Sequence, residues 1–541
     1  RNPQNSLMKE KLQNLINKAL ENAGVKDAGL PAGKAGFVVE HPVDLKMGDY
    51  STNAGIKYRE QKDEVLSYLL THKPDEVEKI EMVGPGFINF YLSKKFFAES
   101  LEQIKDEKDK FGKTKKLKRE KVMVEYTDLN PFKEFHIGHL MSNTIGETIS
   151  RIIEWSGAEV KRANYQGDVG MHVAKAVWGL LKGEKENAYP VGEKAYITNL
   201  EARKEIEDIN KKIYERSDKN INKIYDEGRK KSLEHFENIY KKLGTKFDYY
   251  FFESEVEKEG KKIVEKNIGK VFEKTEGPVI FKAENYNPSL HTRVFINSLG
   301  IPTYEAKDLG NAVNKYKHYK YTKSIMVTGS EVKEYFMVVL EALKQIYPDL
   351  ALKTKHLPHG ILRLPTGKMG SRTGNVISAL NLIDEVKTRA KDNEQVAIGA
   401  IKYMILRQAI GNDITFDIDK SVSTEGDSGV YLQYAHARAN SVLEKAGKSG
   451  NTKVERERTH DIERLLPRFP EILERAQDDY APHYIVTYLT DLASAFNNFY
   501  ASEQVIGDSP ESSYRLAIVE AFKIVMKNGL TVLGIPAPER M

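Results

Sequence analysis

The pattern of apolar and polar positions changes twice along the chain. In the first region, S-L-M-K-E-K-L-Q-N-L-I-N-K-A-L places Leu7, Leu12, Leu15, Ile16 and Leu20 on one face of a helix, the period of a segment that buries one side. K-I-E-M-V-G-P-G-F-I-N-F-Y-L alternates instead, which predicts a strand around a Gly84-Pro85-Gly86 turn. Between them G-D-Y-S-T-N, Gly48 to Asn53, reads as a loop followed by several possible helix caps. Residues 1–110 are thus expected to form a small α+β unit.

From about residue 120 strand, glycine loop and helix alternate. K-V-M-V-E-Y-T is an apolar, β-rich run; Leu140, Ile145, Ile149 and Ile152 follow at helical spacing; A-E-V-K-R-A-N-Y reads as a second strand. That order predicts a βαβ unit. Residues 183–290 are rich in lysine and glutamate and mostly helical in pattern, so they read as an insertion. Alternation returns with R-V-F-I-N-S, K-S-I-M-V-T-G-S and a helix from Val332 to Gln345. After about residue 386 amphipathic helices dominate: Val430, Leu432, Tyr434 and Ala437 open one, Tyr488, Leu492, Phe496 and Phe499 stripe another, and Leu516, Val519 and Phe522 begin the last. The expected fold is α/β, with a Rossmann-like parallel-sheet domain over 111–385 preceded by the α+β unit and followed by an all-α bundle over 386–541.

A chain of 541 residues exceeds what one core holds, in keeping with three or four domains. No apolar run approaches the roughly 18 residues of a membrane-spanning helix, so no membrane partner is expected. The absence of cysteine excludes disulfides and cysteine-ligated zinc and fits a reducing compartment. The chain begins at Arg1, which leaves a preceding or cleaved targeting segment open. A net charge of +5 is too mild to indicate nucleic acid by itself, and the basic run Lys113 to Lys121 reads first as a solvated linker.

Candidate chemistry concentrates in F-K-E-F-H-I-G-H-L, residues 132–140, where His136 and His139 flank Gly138 directly after a strand. A catalytic zinc site needs a third ligand and often shows H-E-x-x-H, which is not present here. No G-x-S-x-G elbow offers a serine nucleophile. A helix start after a parallel strand attracts anions, and histidine can donate to phosphate oxygens. Two structural polar residues at a helix start remain the alternative. A second glycine-rich segment, T-G-K-M-G-S-R-T-G, carries Lys368, Met369, Ser371 and Arg372 and is not a Walker A loop.

H-I-G-H with a later K-M-G-S-R resembles the paired ATP motifs of class I aminoacyl-tRNA synthetases. E-Y-T-D-L-N-P-F-K-E-F-H-I-G-H-L, N-Y-Q-G-D-V-G, P-T-Y-E-A-K-D-L-G, Y-L-Q-Y-A-H-A-R, F-N-N-F-Y and N-G-L-T-V-L-G-I-P-A-P-E-R-M resemble the arginyl-tRNA synthetase family, in its order and across nearly the whole chain. The resemblance implies activation of arginine by ATP with Mg2+, then transfer to the terminal ribose of tRNA(Arg). It implies no structural metal held by the protein, a monomer, and a cytoplasmic place of action. His136, Gly138, His139, Lys368, Met369 and Ser371 would bind ATP. His136, His139, Lys133, Lys368 and Arg372 would carry the charge that stabilises the reacting phosphates.

By the same resemblance Glu125 and Asn130 would hold the α-amino group of arginine, and Tyr304 and Asp308 its guanidinium. The last two are four apart, which puts them on one face if the segment is helical, and a planar carboxylate suits a guanidinium. Glu331 would lie near the amino acid or the adenosine, although S-E-V stands where the family more often has glutamine or histidine. The C-terminal bundle would read the anticodon through Tyr431, Gln433, Tyr434, His436 and Arg438, with Met541 nearby, and Phe87 and Asn89 would touch the tRNA elbow. Two further departures are Arg372 in place of a second lysine and S-L-G, Ser298 to Gly300, where S-D-G is usual. Other readings are a different class I synthetase, a catalytically silent tRNA-binding paralogue, or an adenylyl transferase without RNA.

Overall fold

The computed structural model describes residues 5–25, 36–185, 187–365 and 378–541. The N-terminal helix Asn5–Asn22 buries Met8, Leu12, Ile16 and Leu20 against a four-stranded antiparallel sheet ordered Val39–Glu40, Tyr50–Thr52, Phe87–Leu92, Val77–Val83. G-D-Y-S-T-N therefore departs from the loop expected there: Tyr50–Thr52 is a strand, paired with Phe90, Asn89 and Ile88. Its three residues are too few for alternation to be legible.

At the centre lies a five-stranded, all-parallel sheet ordered Thr354–His359, Lys323–Gly329, Lys121–Tyr126, Glu159–Gln166, Tyr249–Phe252. The helix Ile137–Trp155 crosses from the middle strand to its neighbour and lies very close to the sheet. A Cβ on Gly146 would sit 2.2 Å from Tyr126 Cγ, so only glycine fits that crossing. Two expectations are corrected here. The region 183–290 is not purely a helical insertion, because Tyr249–Phe252 returns to pair in parallel with Ala163 to Gln166. R-V-F-I belongs to a small antiparallel sheet with Val279–Phe281 and Glu273–Lys274, not to the parallel one. A four-residue strand of aromatics has no period long enough to separate it from the surrounding helices.

The helices of the insertion, Ala188–Thr198, Leu200–Glu215 and Lys219–Leu243, pack with Met171–Leu181 around Val173, Ile206, Ile209 and Tyr225. The C-terminal helices include Gly429–Ala446, His483–Ser502 and Pro510–Val532. Their apolar stripes join one core with Val122, Val124, Ile149 and Ile153 of the parallel-sheet region and with Leu101 and Ile104 before it. Position 386 falls inside the helix Ala379–Arg389, so no break in structure marks the expected boundary.

Candidate active site

The chain leaves the middle strand through a strained loop. Thr127, Asp128 and Phe132 have φ of 80°, 49° and 66°, a region that costs a non-glycine residue about 1–3 kcal/mol and is held only when the surroundings over-determine it. Phe132 is held by its ring against the helix Lys219–Leu243, where a Cβ on Gly228 would meet it at 2.3 Å. Its amide also donates to Ser232 Oγ at 3.0 Å.

This loop delivers the histidines. His136 caps the helix Ile137–Trp155: Gly138 N donates to His136 Nδ1 at 3.1 Å, His136 N donates to His139 Nδ1 at 3.3 Å, and the rings stack 3.7 Å apart. Since backbone N–H groups occupy both Nδ1 atoms, each neutral ring carries its proton on Nε2. Burial and the nearby Lys133 ammonium push His136 down to about 4, and burial with His136 beside it holds His139 well below the usual imidazole range. The pair thus presents two neutral N–H donors at a helix N-terminus, suited to an anion and unsuited to a metal cation. Among the described residues no group of three or more His, Asp or Glu side chains is arranged to hold a metal.

Lys133 is partly buried beside them, 5.7 Å from the Tyr189 ring. Burial lowers its ammonium, opposed by Glu253 and Glu193. His136 forms an antiparallel bridge with Ser378, and Ala379 N donates to Phe135 O at 2.8 Å. Ser378 and Ala379 therefore lie beside the histidine pair. Lys368, Met369, Ser371 and Arg372 themselves lie outside the described residues.

The other end of the site is acidic. Tyr304, Asp308, Asn311 and Lys315 stand on one stripe of the helix Tyr304–His318. Asp308 sits deep, and Tyr335 donates its hydroxyl to Asp308 Oδ2 at 2.5 Å. Glu125, at the C-terminal end of the middle strand, is buried and accepts from Lys315 Nζ at 3.0 Å and Asn311 Nδ2 at 3.2 Å. Burial, with Glu125 nearby, holds Asp128 well above the usual carboxylate range. Asn130 Oδ1 accepts from Gly167 N at 2.7 Å, beside Glu253. Tyr304 occupies the rim, 56% exposed, with Lys307 Nζ 5.4 Å from its ring.

Glu331 lies at the same sheet edge, in the turn Ser330–Val332, with its carboxylate folded back on Gly329. Asp168, in N-Y-Q-G-D-V-G, is buried and ties the insertion to the site wall by accepting from Arg229 Nε, Ser254 N and Ser254 Oγ at 3.0, 3.0 and 2.8 Å.

Three residues absent from the sequence reading face this site. Tyr335 bonds Asp308; the Tyr165 hydroxyl is buried without a hydrogen-bond partner; His359, whose Nδ1 meets Gly360 O at 2.7 Å, leaves a buried Nε2 unpaired. Only the single aromatic of N-Y-Q at a strand end hinted at Tyr165.

Of the residues expected at RNA, Tyr434 is exposed and stacks under the Arg438 guanidinium at 4.6 Å. Arg438 also donates to Asn497 Oδ1, and Asn497 Nδ2 donates to Tyr431. Tyr500, not singled out in the sequence, joins this exposed face with its ring 6.0 Å from the Arg438 guanidinium. Gln433 and His436 are corrected: both are buried, and they bond Pro536 O at 2.8 Å and Pro538 O at 2.9 Å. Asn89 is corrected too, being 1% exposed and bonded by Ser51 Oγ at 2.7 Å, whereas neighbouring Phe87 is exposed. Met541 is half exposed.

Three family models match in succession: the arginyl tRNA synthetase N terminal domain over residues 10–92, the class I (R) tRNA synthetase catalytic domain over 100–418, and the DALR anticodon binding domain over 432–541. The arginine–tRNA ligase of Lactococcus lactis subsp. cremoris (strain SK11) is 30% identical over 97% of this chain and 99% of its own length. That of Streptococcus pneumoniae (strain CGSP14) is 30% identical over 93% and 96%. In fold the chain is similar to the arginyl-tRNA synthetases of Thermus thermophilus (TM-score 0.74, 24% identity, 99% of this chain and 100% of that one) and Plasmodium falciparum (0.79, 19%, 99% of each). With models matched along nearly its whole length and relatives collinear with it from end to end, the chain belongs to the class I arginyl-tRNA synthetase family.

Proposed function

We infer that the chain is an arginine–tRNA ligase. The arginine carboxylate attacks the α-phosphorus of ATP, displacing pyrophosphate and forming arginyl-adenylate. The terminal ribose hydroxyl of tRNA(Arg) then attacks the arginyl carbonyl and releases AMP. The observation that carries this reading is the pairing, along one sheet edge, of a neutral N–H donor pair with a buried acidic floor. The first suits a triphosphate and the second a substrate bearing cationic groups at both ends.

We assign roles on that basis. His136 and His139 donate through Nε2 to phosphate oxygens, Gly138 lets the nucleotide approach the backbone, and Lys133 adds charge from the loop. Lys368 and Arg372 would close on the phosphates from the second segment, with Met369 and Ser371 beside the nucleotide. Asp308 receives the guanidinium through two charge-assisted hydrogen bonds, with Tyr304 over it at the rim. Asn130 and Glu125 take the α-amino group; because Lys315 already occupies Glu125 Oε2, the other oxygen serves. Glu331 flanks the amino acid from the neighbouring strand.

Magnesium would arrive as the ATP complex, since the donors at the histidine end are N–H groups that fit phosphate and not a cation. No helix among the described residues is long and apolar enough to cross a membrane; we propose a cytoplasmic monomer. The exposed Tyr434, Arg438 and Tyr500 face offers stacking and a planar cation to unpaired bases, and exposed Phe87 is proposed as a second contact.

ATP–pyrophosphate exchange with each amino acid, with and without tRNA, tests the assignment. Exchange is expected with arginine alone and only when tRNA is present. Exchange with another amino acid overturns the specificity, and none under any condition supports the silent paralogue.

A further inference from the structure

Asp308 stands among groups of its own sign. Glu125 faces it from the middle strand, Asp128 from the loop that follows, and Glu253 from the start of the helix Glu253–Lys266. The cation that opposes them, Lys315, lies two turns along the same helix and is already engaged by Glu125 at 3.0 Å, and Glu253 is itself paired with Lys307 Nζ at 2.7 Å. Two phenols complete the surroundings. Tyr165, from the strand Glu159–Gln166, keeps its buried hydroxyl unpaired. Tyr335, from the helix Lys333–Ile346, donates to Asp308 Oδ2.

The Tyr335 ring is fixed from behind: the Arg293 guanidinium lies 5.5 Å over it and pairs with Glu305 at 3.3 Å, and Phe336 packs edge-on at 5.1 Å. Burial and the neighbouring carboxylates push Asp308 up to about 8, and the Tyr335 hydrogen bond is the largest opposing influence. A guanidinium has only donors and does not give up its proton, so it needs the ionised carboxylate.

We propose that Tyr335 is a positioning residue for arginine: by donating to Oδ2 it favours the ionised form of Asp308 and holds the carboxylate turned so that Oδ1 and the remaining lone pairs stay open to the guanidinium. This rests on the reading that Asp308 receives the guanidinium. Binding below the titration of Asp308 then requires its carboxyl proton to leave for solvent as arginine arrives, so the arginine KM falls as pH rises and levels near pH 8.

Tyr335→Phe keeps the ring and removes the donor. The arginine KM, the ATP KM and kcat are measured from pH 6 to 9.5 in aminoacylation, and proton release on arginine binding is measured by calorimetry in two buffers of different ionisation enthalpy. The plateau in the arginine KM is expected to move up by about one pH unit. At pH 7 the arginine KM then rises about tenfold while the ATP KM and kcat hold, and at pH 8 the proton released on binding rises from about one half to about nine-tenths. An unshifted plateau with unchanged proton release overturns the role of Tyr335. Asp308→Asn separates the two claims: it is expected to weaken arginine at every pH and abolish the bend. An Asp308→Asn enzyme with unaltered arginine KM would refute the guanidinium assignment itself, whereas a large loss there together with an unshifted Tyr335→Phe profile would refute only the proposal.

Discussion

The last residues of the chain are predicted to hold the helix Gly429–Ala446 in place, not to serve RNA alone. Three side chains on one stripe of that helix donate into them: Gln433 Nε2 to Pro536 O, His436 Nδ1 to Pro538 O and Asn440 Nδ2 to Glu539 O, at 2.8, 2.9 and 3.1 Å. Truncation after Ile535 retains the buried Ile535 and takes only the partly buried Ala537 from the edge of the apolar core. Gln433 keeps Gln395 O and Asn440 keeps Glu444 Oε1, so each amide nitrogen loses one of the two bonds it donates, while His436 Nδ1 loses the bond it makes. An orphaned buried donor costs about 1–3 kcal/mol and a lost second bond about 0.5–1.5 kcal/mol. Water entering behind the departed tail returns part of this, leaving about 2–3 kcal/mol. Hydrogen exchange of the backbone amides of Gly429–Ala446 should then accelerate by about 30- to 150-fold relative to the full chain. If exchange there is unchanged while tRNA binding is lost, the tail acts on RNA directly and the reasoning fails.

Asp308→Ala, which removes both charge-assisted bonds to the guanidinium, should raise the arginine KM by about 10²- to 10³-fold; an equal rise in the ATP KM would refute the assignment. With His136 pushed down to about 4, the histidine grip on phosphate stays neutral through the physiological range, so the ATP KM should be flat from pH 6 to 8. An imidazolium grip would instead weaken as pH rises through its ordinary titration. Breaking the buried Lys307–Glu253 pair, 2.7 Å apart, with Lys307→Met strands a carboxylate and should cost about 3–5 kcal/mol in urea unfolding, largely recovered in the Lys307→Met, Glu253→Gln double variant. Gly146→Ala should lower the melting temperature, since the added methyl overlaps Tyr126 and overpacking costs about 1–3 kcal/mol.

The long elements were legible wherever burial is one-sided and the period has room to repeat, as in Ile137–Trp155 and Pro510–Val532. Tyr50–Thr52 and Tyr249–Phe252 were not, because strands of three and four residues complete barely one alternation. At the site, the histidines, Asp308 and Asn130 stood out through spacing and resemblance. Tyr335 did not, since its i, i+1 neighbour Phe336 makes it look like any aromatic on an amphipathic helix, and its hydroxyl meets Asp308 only through the fold. Gln433 and His436 were misread for a related reason. A polar side chain on a helix has the same pattern whether it faces RNA or the backbone of a distant segment.

One core unites the parallel sheet, the helix Lys94–Glu107 and the C-terminal helices. Its partners span nearly the full length of the chain: Asn528 in the last helix donates to Lys108 O and Phe111 O at 2.8 and 3.1 Å, and Lys402 Nζ ties Leu243 O to Gly534 O at 2.7 Å each. A ribosome makes the chain from its N-terminus, so the apolar faces of Lys94–Glu107 and Ile137–Trp155 are complete long before Pro510–Val532 has emerged. At about 5–20 residues per second those faces wait tens of seconds for their cover. The nascent chain therefore carries an open core during synthesis, and the emergence of Pro510–Val532, not any internal boundary, sets when that core closes.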